Sequence, residues 1–456
     1  MGDVSGKERL ARAALTYVAE PGDPVMGALL RTCAPAEIVA ALVQGRMPVP
    51  TAGPTGAVGP GLDRLQGPDG DRLPGPDWDG LPGLDRVRRP EPDWDGLPGL
   101  DRIRVPGLDR DGLRGLDRAL ARWAGRLGEA PTESDLDDWR RAGIRLVCPG
   151  DPEWPSQLEV LGDASPWGLW VRGSGDLRYA CLRSVSVVGT RAATAYGSHV
   201  CTEMAATLAE RGWTVVSGGA FGIDGCAHRS AVRAGGVTIA VLACGVDRDY
   251  PPGHYGLFRD IRAEGATVSE WPPGRTPTRP GFLVRNRVIA ALSRGTVVVE
   301  AARRSGALNT ARHARDQGRP LMAVPGPVTS MLSAGCHEII RDWGAVCVTG
   351  ARDVMEVLSF PGDEPPSRAR GPVLPRDALD PVTRQVLEAV PARAGRGPAR
   401  IAVVAGVGFD TAMSCLGALA AAGFVERNDR GWRLRSGPAG HDRRSGHGRE
   451  PRHDRG

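Results

Sequence analysis

Lysine is nearly missing from this chain: Lys7 is its only example among 456 residues, and arginine supplies almost every positive charge. Arginine forms forked contacts with phosphate groups and stacks on bases, so a basic surface built from it suits a polyanion. Lys and Arg number 58 against 53 Asp and Glu, and a net charge of +5 does not by itself indicate a nucleic-acid partner. The distribution of the charges therefore matters more than their sum.

The chain also lacks a CxxC pair and any closely spaced set of His and Cys residues. Its nine scattered cysteines indicate reduced, mostly buried thiols in a cytoplasmic protein, with no metal site. The start of the chain has no apolar signal region, and no later run reaches the roughly 18 apolar residues of a membrane span. We therefore expect neither a signal peptide nor a membrane partner.

No pattern typical of catalysis stands out. The sequence has no P-loop, no GxGxxG fingerprint and no nucleophile beside a base, so we expect a protein that is not an enzyme and needs no cofactor. Asp224 is predicted to be the N-cap of the helix that follows Gly222. Four isolated histidines are interpreted as structural residues: His228, His254, His313 and His337.

What the sequence does contain is an alternation of strands and helices, clearest over Ser184–Gly225. Ser184–Val188 and Trp213–Val216 are apolar runs typical of buried strands, and apolar residues four apart predict a helix over Tyr196–Arg211. This order predicts an α/β fold with a doubly wound parallel sheet. Further strands are predicted at Gly143–Val147, Trp167–Val171, Val237–Ala243, Ala266–Ser269, Thr296–Glu300, Leu321–Val324 and Ala345–Val348. Further helices are predicted at Leu116–Leu127, Ser134–Ala142, Tyr255–Ala263, Asn286–Ser293, Ala307–Gln317 and Cys336–Trp343.

Two small-residue turns follow the first two strands of this stretch. In a doubly wound sheet such turns lie together at the carboxyl edge, where ligands bind. Their backbone amides and the helix N-termini behind them favour an anion, and one turn adds an arginine. The alternative is that the glycines only allow tight turns. The predicted phosphate-binding residues here are Gly189, Thr190, Arg191, Ser217, Gly218 and Gly219.

A second basic element lies between Glu270 and Glu300, a stretch with five arginines and no acidic residue. Arg285 and Arg287 are predicted at a helix start, where a cation opposes the helix dipole and a bound anion would explain them. Asn286 between them holds a loop or touches a base. Phe282 is a candidate for base stacking, and the alternative is a solvated basic face with Phe282 in the core. If the sheet closes as predicted, Ser305 and Gly306 join the same groove and bind phosphates.

The composition divides the chain into segments. We predict a helical N-terminal module at 1–46, an α/β DNA-binding domain at 116–359 with its core at 184–359, a Pro-rich linker at 360–376 and a disordered basic tail at 436–456. Residues 47–115 form a Pro/Gly-rich insertion in which DWDGLPGLDR occurs twice, predicted to be disordered, with a solenoid as the alternative.

The segment 377–435 is predicted to contain three helices and a hairpin, which is typical of a winged helix. Its last helix, Phe409–Ala422, has no Lys or Arg, which favours a role in assembly or regulation, with at most a weak DNA contact through the wing.

The motifs of the chain resemble those of the DprA/Smf family of bacterial DNA-processing proteins. They are GTR at Gly189, SGGAFGID at Ser217, YPP at Tyr250, FLVRNRVIA at Phe282, VVVEA at Val297, RSGALNTA at Arg304, AVPG at Ala323 and GCH at Gly335. The resemblance implies an extended Rossmann-like domain, flanked by a helical module and a winged helix. It also implies sequence-independent binding of single-stranded DNA, its protection and the loading of RecA recombinase in natural transformation, and a homodimer through the Rossmann-like domain.

Two features of the chain depart from the family pattern, and two other functions remain as alternatives to single-stranded DNA binding. Phe221 stands where many relatives have an arginine, and the insertion is not part of the family pattern. A phosphoribohydrolase of nucleoside monophosphates has a similar broad fold, but EAARRSGALNTA lacks the glycine pair and glutamate that those enzymes carry. A transcription regulator would depend on the winged helix alone.

Overall fold

Residues 4–46, 48, 110–359 and 375–435 are described by a computed structural model, which divides into two units, Met1–Pro366 and Ser367–Gly456. Most of the predicted insertion and linker, and all of the predicted tail, lie outside the described residues. The predictions for those segments therefore stay predictions.

A nine-stranded sheet organises the first unit, with the strand order β1-β2-β6-β5-β4-β3-β7-β8-β9. Every neighbouring pair from β6 to β9 is parallel, which confirms the predicted doubly wound sheet. The sheet is mixed, however, because β1 and β2 add an antiparallel edge to β6. The strands are β1 Ile144–Val147, β2 Leu169–Arg172, β3 Ser184–Val188, β4 Thr214–Ser217, β5 Thr238–Val241, β6 Ala266–Ser269, β7 Thr296–Val298, β8 Leu321–Ala323 and β9 Val346–Cys347.

Helices cover both faces of this sheet, so its central strands are buried on both sides. In β3, Val185 and Val187 face one apolar core and Val188 faces the other. The polar Ser186 between them is buried because its hydroxyl donates to the Ile289 carbonyl. The helices are α6 Leu177–Leu182, α7 Ala195–Glu210, α8 Ile223–Arg233, α9 Tyr255–Glu264, α10 Arg279–Leu292, α11 Gly306–Asp316, α12 Ala334–Asp342 and α13 Ala351–Leu358.

An N-terminal helical module packs beside the sheet in the same unit. It consists of α1 Gly6–Val18, α2 Pro24–Leu30, α3 Pro35–Val43 and α4 Arg110–Arg126, followed by α5 Glu133–Arg141. Leu120 and Trp123 of α4 share one apolar core with Leu15, Met26 and Ile38. Thus α4 begins before the predicted 116 boundary and packs with the N-terminal helices, because its apolar face completes their core.

The second unit is described here by itself. Its elements are α14 Pro381–Ala389, α15 Pro398–Ala405, α16 Phe409–Ala421 and an antiparallel hairpin of β10 Val425–Asn428 and β11 Gly431–Leu434. Val386, Ile401, Leu416 and Val425 form its apolar core. The elements lie where the sequence predicts them, and the assignment to a winged helix stays a prediction.

The cysteines and the lengths of the helices bear on two of the predictions from composition. All nine cysteines are free thiols and seven of them are buried, as predicted. Among the described residues no single helix is long and apolar enough to cross a membrane, although two bent helix pairs reach that length and composition together.

Candidate nucleic-acid interface

The predicted site lies at the carboxyl edge of the parallel strands, beside the point where the strand order reverses between β3 and β7. Three predicted elements meet there: the turns after β3 and β4 and the helix α10. Thr190 donates its amide to the Glu300 carbonyl after β7 (2.7 Å) and accepts from the Ile223 amide at the start of α8 (3.1 Å). The turns are therefore fastened to one another by backbone hydrogen bonds.

Arg285 joins this edge from α10 and is buried. Its guanidinium donates to the carbonyls of Gly218 (2.7 Å) and Val241, at the ends of β4 and β5. Burial lowers the pKa of Arg285 to about 10 despite the opposing effect of Asp224, so the side chain stays charged at neutral pH. Arg285 thus holds two strand ends together and presents little of its surface to a ligand.

The prediction that Arg285, Asn286 and Arg287 lie at a helix start is wrong. Helix α10 begins at Arg279, because the Thr278 hydroxyl accepts the Gly281 amide and a proline occupies the first turn. Proline is tolerated there, since its missing N–H would have no helical partner. The three residues therefore lie inside the helix, with Arg285 directed to the strand ends, Asn286 to α11 and Arg287 to Glu270.

Asp224 fills the anion position that the two small-residue turns create. It is not the N-cap of α8, as predicted; Gly222 takes that position, with φ of 76°. The buried carboxylate accepts the Gly218 amide at 3.2 Å. Burial raises the pKa of Asp224 above its ordinary value, against the opposite effects of Arg285 and of three backbone amides from both turns: Ala220, Gly218 and Gly189. An internal carboxylate therefore uses the amides expected to face a phosphate.

Glu300 does the same at the N-terminus of α7. Its carboxylate is buried and accepts both the amide (2.9 Å) and the hydroxyl (2.8 Å) of Thr194, the N-cap of that helix. Gly197 is required beside it, because a side chain at that position would collide with the carboxylate. The positive end of α7 is thus neutralised inside the protein.

Arg287 forms a buried ion pair with Glu270. Both guanidinium nitrogens reach the carboxylate, at 2.5 and 2.7 Å, and the side chains are only 7% and 2% exposed. The guanidinium also lies against Gly22 of the N-terminal module, where a Cβ would come within 2.9 Å of its Nε. This geometry favours a structural role for Arg287 at the contact between the module and the sheet.

Other predicted residues also support the scaffold. The Ser217 hydroxyl donates to the Val187 carbonyl (2.7 Å), and the Gly219 carbonyl accepts from His254 (3.0 Å). Asn286 donates to the Gly306 carbonyl (3.4 Å) and to Asn309 (3.0 Å), which is the loop-holding alternative of its predicted roles. Ser305 caps α11, and Gly306 is exposed in its first turn.

Arg191 and Phe282 are different, because they face solvent together. Arg191 is exposed and its guanidinium lies 5.2 Å from the centre of the Phe282 ring. The Tyr250 ring lies 5.8 Å from Phe282 and is 41% exposed. Phe282 is half-buried, so it lies neither fully in the core nor fully in solvent.

Phe221 extends the same surface. It is 51% exposed, and its ring packs edge to face on His254 at 4.7 Å. The following Gly222 lies against the carbonyls of Thr190 and Arg191, so Phe221 neighbours Arg191 across the two turns. We call the exposed side chains of Arg191, Tyr250 and Phe221, together with the half-buried Phe282, the Arg191 surface.

Sequence reasoning did not select Tyr250 as a binding residue or Asp224, Glu270 and Glu300 as internal partners. The motif at Tyr250 was visible, but only the fold shows that its ring meets Phe282. No group of three His, Cys, Asp or Glu side chains within the described ranges is arranged to hold a metal ion.

The fold, its basic edge and the sequence together define the class of protein. Residues 145–359 match the family described as DNA recombination-mediator protein A. The chain is 46% identical over 321 residues to the DNA processing protein DprA of Mycobacterium tuberculosis, covering 67% of this chain and 81% of that protein. The chain therefore belongs to the DprA/Smf family of DNA-processing proteins.

Other relatives are similar to this chain over about half of its length. Protein Smf of Escherichia coli is 42% identical over 224 residues, which cover 49% of this chain and 59% of that protein. The solved DNA processing protein A of Streptococcus pneumoniae is 33% identical and superposes with a TM-score of 0.48, covering 56% of this chain and 88% of that one. The solved DNA processing protein A of Helicobacter pylori, whose structure describes its single-stranded DNA binding mode, is 27% identical and superposes with a TM-score of 0.42. The match covers 47% of this chain and 95% of that one.

Proposed function

We propose that this chain binds single-stranded DNA without sequence preference on the Arg191 surface. Its place in a family of DNA-processing proteins supports a DNA ligand. The observation that carries the proposal is the stack of exposed Arg191 on Phe282, at the carboxyl edge of the parallel strands. Cations beside exposed rings are the combination with which proteins hold single strands.

Arg191 is the proposed phosphate contact. At this edge Asp224, Glu270 and Glu300 are buried and hydrogen-bonded, and the exposed Asp247 in the loop after β5 pairs with Arg248. The charge of Arg191 is therefore left to face solvent, where it attracts phosphate and releases counterions. Exposed Arg304, next to Ser305 and Gly306 at the start of α11, is the proposed second contact.

The remaining predicted residues are proposed to hold this surface in shape. Arg285 and Arg287 fix α10, which carries Phe282, and Asn286 connects α10 to α11. The backbone at Gly189, Thr190, Ser217, Gly218 and Gly219 forms the turns that present Arg191 and Phe221. The phosphate contacts then come from side chains, since the Gly218 amide donates to the Asp224 carboxylate and the Thr190 amide to the Glu300 carbonyl.

Bases would stack on Phe282, Tyr250 and Phe221. Each exposed ring can accept any base, because every base has a π-face, and such contacts contribute about 1–3 kcal/mol per base. In a duplex the base faces are covered by their neighbours, so exposed rings favour an unpaired strand. The replacement of a family arginine by Phe221 exchanges a phosphate contact for a stacking contact on this account.

The later steps of the proposed function follow the family resemblance. We propose that the bound strand is protected and passed to RecA recombinase during DNA recombination, including natural transformation where the host takes up DNA. A homodimer through the α/β domain and an assembly role for the segment 377–435 belong to the same proposal.

The test is a salt titration of single-stranded and double-stranded DNA binding by the full chain. Arg191→Ala should lower single-strand affinity about tenfold and reduce the slope of log K against log salt by about 0.7. The matched control is Arg211→Ala, an exposed arginine at the opposite end of α7, which should leave both values unchanged. Equal losses in the two variants, or preference for duplex, would contradict the proposal.

The rival enzymatic function is tested with the same preparation. Nucleoside monophosphates incubated with the protein should release no free base. Release that is abolished by a substitution at the carboxyl edge of the sheet would favour a phosphoribohydrolase instead.

A further inference from the structure

A basic cavity that is open to solvent lies along one side of α9, outside the Arg191 surface. Its volume is about 490 Å³, and its lining includes Arg172, Arg259, Arg262 and Tyr255 but no acidic residue. The volume falls within the roughly 300–1,000 Å³ typical of ligand sites. We call this cavity the α9 groove.

The walls of the groove are fixed by hydrogen bonds that do not use its solvent-facing charges. Ser174 donates its amide to the Arg262 carbonyl (3.1 Å) and its hydroxyl to the Ala263 carbonyl (2.6 Å). Arg145, which is paired with Glu153, donates to the carbonyls of Gly173 (2.7 Å) and Gly175 (2.8 Å) in the same turn. The turn after β2 is therefore held rigidly against the end of α9.

The three arginines differ in how much charge they offer. Arg262 forms a two-point ion pair with Asp249, both 12% exposed, so its charge is neutralised. Arg259 is 72% exposed and pairs with its neighbour Asp260, a contact that contributes little at the surface. Arg172 is half-buried at the end of β2. Arg172 and Arg259 are thus the cations available to a ligand.

The side chains lie in a line and not around a point. Tyr255, Arg259 and Arg262 are four and three residues apart on α9, so they share one face over about 10 Å. Tyr255 is 65% exposed at one end of this face. A ring followed by arginines along an open groove suits a strand with bases and several phosphates better than a single small anion.

The groove also adjoins the Arg191 surface through consecutive residues. Tyr255 directly follows His254, whose ring packs against Phe221 and whose Nδ1 is bonded to Gly219. A strand lying over Phe221 can therefore continue past Tyr255 onto α9. Both ends of this path present exposed aromatic rings.

From this juxtaposition we infer that the α9 groove binds a second segment of the same single strand, with phosphates at Arg172 and Arg259 and a base on Tyr255. The inference rests on the proposed function, because the first segment lies on the Arg191 surface. It predicts that affinity for a short strand depends on the Arg191 surface alone, and that affinity for a long strand depends on the α9 groove as well.

The experiment measures fluorescence anisotropy with oligothymidylates of about 6 and about 25 nucleotides. The first lies within, and the second exceeds, the roughly 4–16 nucleotides that one single-strand-binding OB fold occupies. In Arg172→Ala/Arg259→Ala, affinity for the long strand should fall about tenfold or more and its salt slope by about 1.4, because two phosphate contacts are lost. Affinity for the short strand should not change, and Arg191→Ala should abolish most of it. The matched control, Arg211→Ala/Arg233→Ala, removes two exposed arginines at the ends of α7 and α8 and should bind both strands as the parent does.

Each other result overturns the inference. Long-strand affinity equal to that of the control would show that the groove is not used, and equal losses on both strands would show that the arginines act on the first segment. If the double variant does not fold, Arg259→Glu replaces it, because that side chain is largely exposed. Failure of the parent chain to bind either strand would instead refute the proposed function, so the two failures are distinguishable.

Discussion

The buried pair of Arg287 and Glu270 separates a structural role from a DNA-binding role. Replacing Arg287 by Met leaves a carboxylate that is 2% exposed without its partner. Breaking a buried ion pair from one side costs about 3–5 kcal/mol, because the remaining charge is neither hydrated nor paired. We therefore expect Arg287→Met to lower the urea midpoint of the full chain strongly, as followed by tryptophan fluorescence.

The second variant in this test is Arg287→Met/Glu270→Leu. Replacing a buried ion pair by apolar residues of similar volume is often neutral or stabilising. The double variant should therefore regain most of the stability lost in Arg287→Met. Glu270→Leu alone should be destabilised too, since Arg287 is then the unpaired charge.

The DNA arm of the experiment uses the folded double variant. A neutralised pair contributes no net charge to the binding surface, so the salt slope for single-stranded DNA should equal that of the parent chain. If Arg287 contacts a phosphate, as the sequence predicts, the slope should instead fall by about 0.7. A stable Arg287→Met protein with a shallower slope would refute the structural role argued here.

Three further predictions follow from other contacts. Gly218→Ala should lower the urea midpoint, because the new Cβ would lie 2.7 Å from nitrogens of Arg285 and an oxygen of Asp224. Gly306→Ala is the control, because the space around that position is open and the urea midpoint should stay the same. Equal midpoints in the two variants would contradict the packing. The Cys226 thiol, whose pKa is lowered to about 6 chiefly by the neighbouring Cys201, should reach half its maximal iodoacetamide rate near pH 6 in peptide mapping. Cys201→Ala should move that midpoint upward, and an unchanged midpoint would exclude this cause. Cutting the chain after Asp363 should change the affinity for single-stranded DNA by less than about tenfold relative to the full chain, since α16 has no Lys or Arg to bind phosphate. A larger loss in a truncated protein that is still folded and dimeric would show that the removed segment is a DNA-binding domain.

The strands could be predicted because burial on both faces of the sheet requires short, continuous runs of apolar residues, which are visible in the sequence. The prediction for β3 has the observed bounds, since its residues meet cores on both sides. The antiparallel edge was not predicted. The direction of β2 depends on its pairing with β6, nearly a hundred residues further along the chain, and no local pattern records such a pairing.

The convergence of the site could also be predicted, but not the use of its charges. Turns after neighbouring parallel strands meet at one edge whatever their side chains, and Arg191 and Phe282 do lie there together. That Glu270 neutralises Arg287, or that Asp224 turns back to the Gly218 amide, depends on side-chain directions in the folded protein. The start of α10 was missed because Pro280 and Gly281 resemble a helix breaker when the Thr278 cap is not recognised.

If single-stranded DNA binds as proposed, the carboxylates of Asp224 and Glu300 have a consequence for how the strand leaves. With the Gly218 amide and the N-cap of α7 satisfied internally, a departing strand uncovers mainly an arginine and aromatic rings that water can cover. Release can then proceed one nucleotide at a time, without the large barrier of exposing several desolvated backbone amides in one step. An incoming protein that competes for successive phosphates can peel the strand away gradually, so tight overall binding and rapid exchange can coexist in one chain.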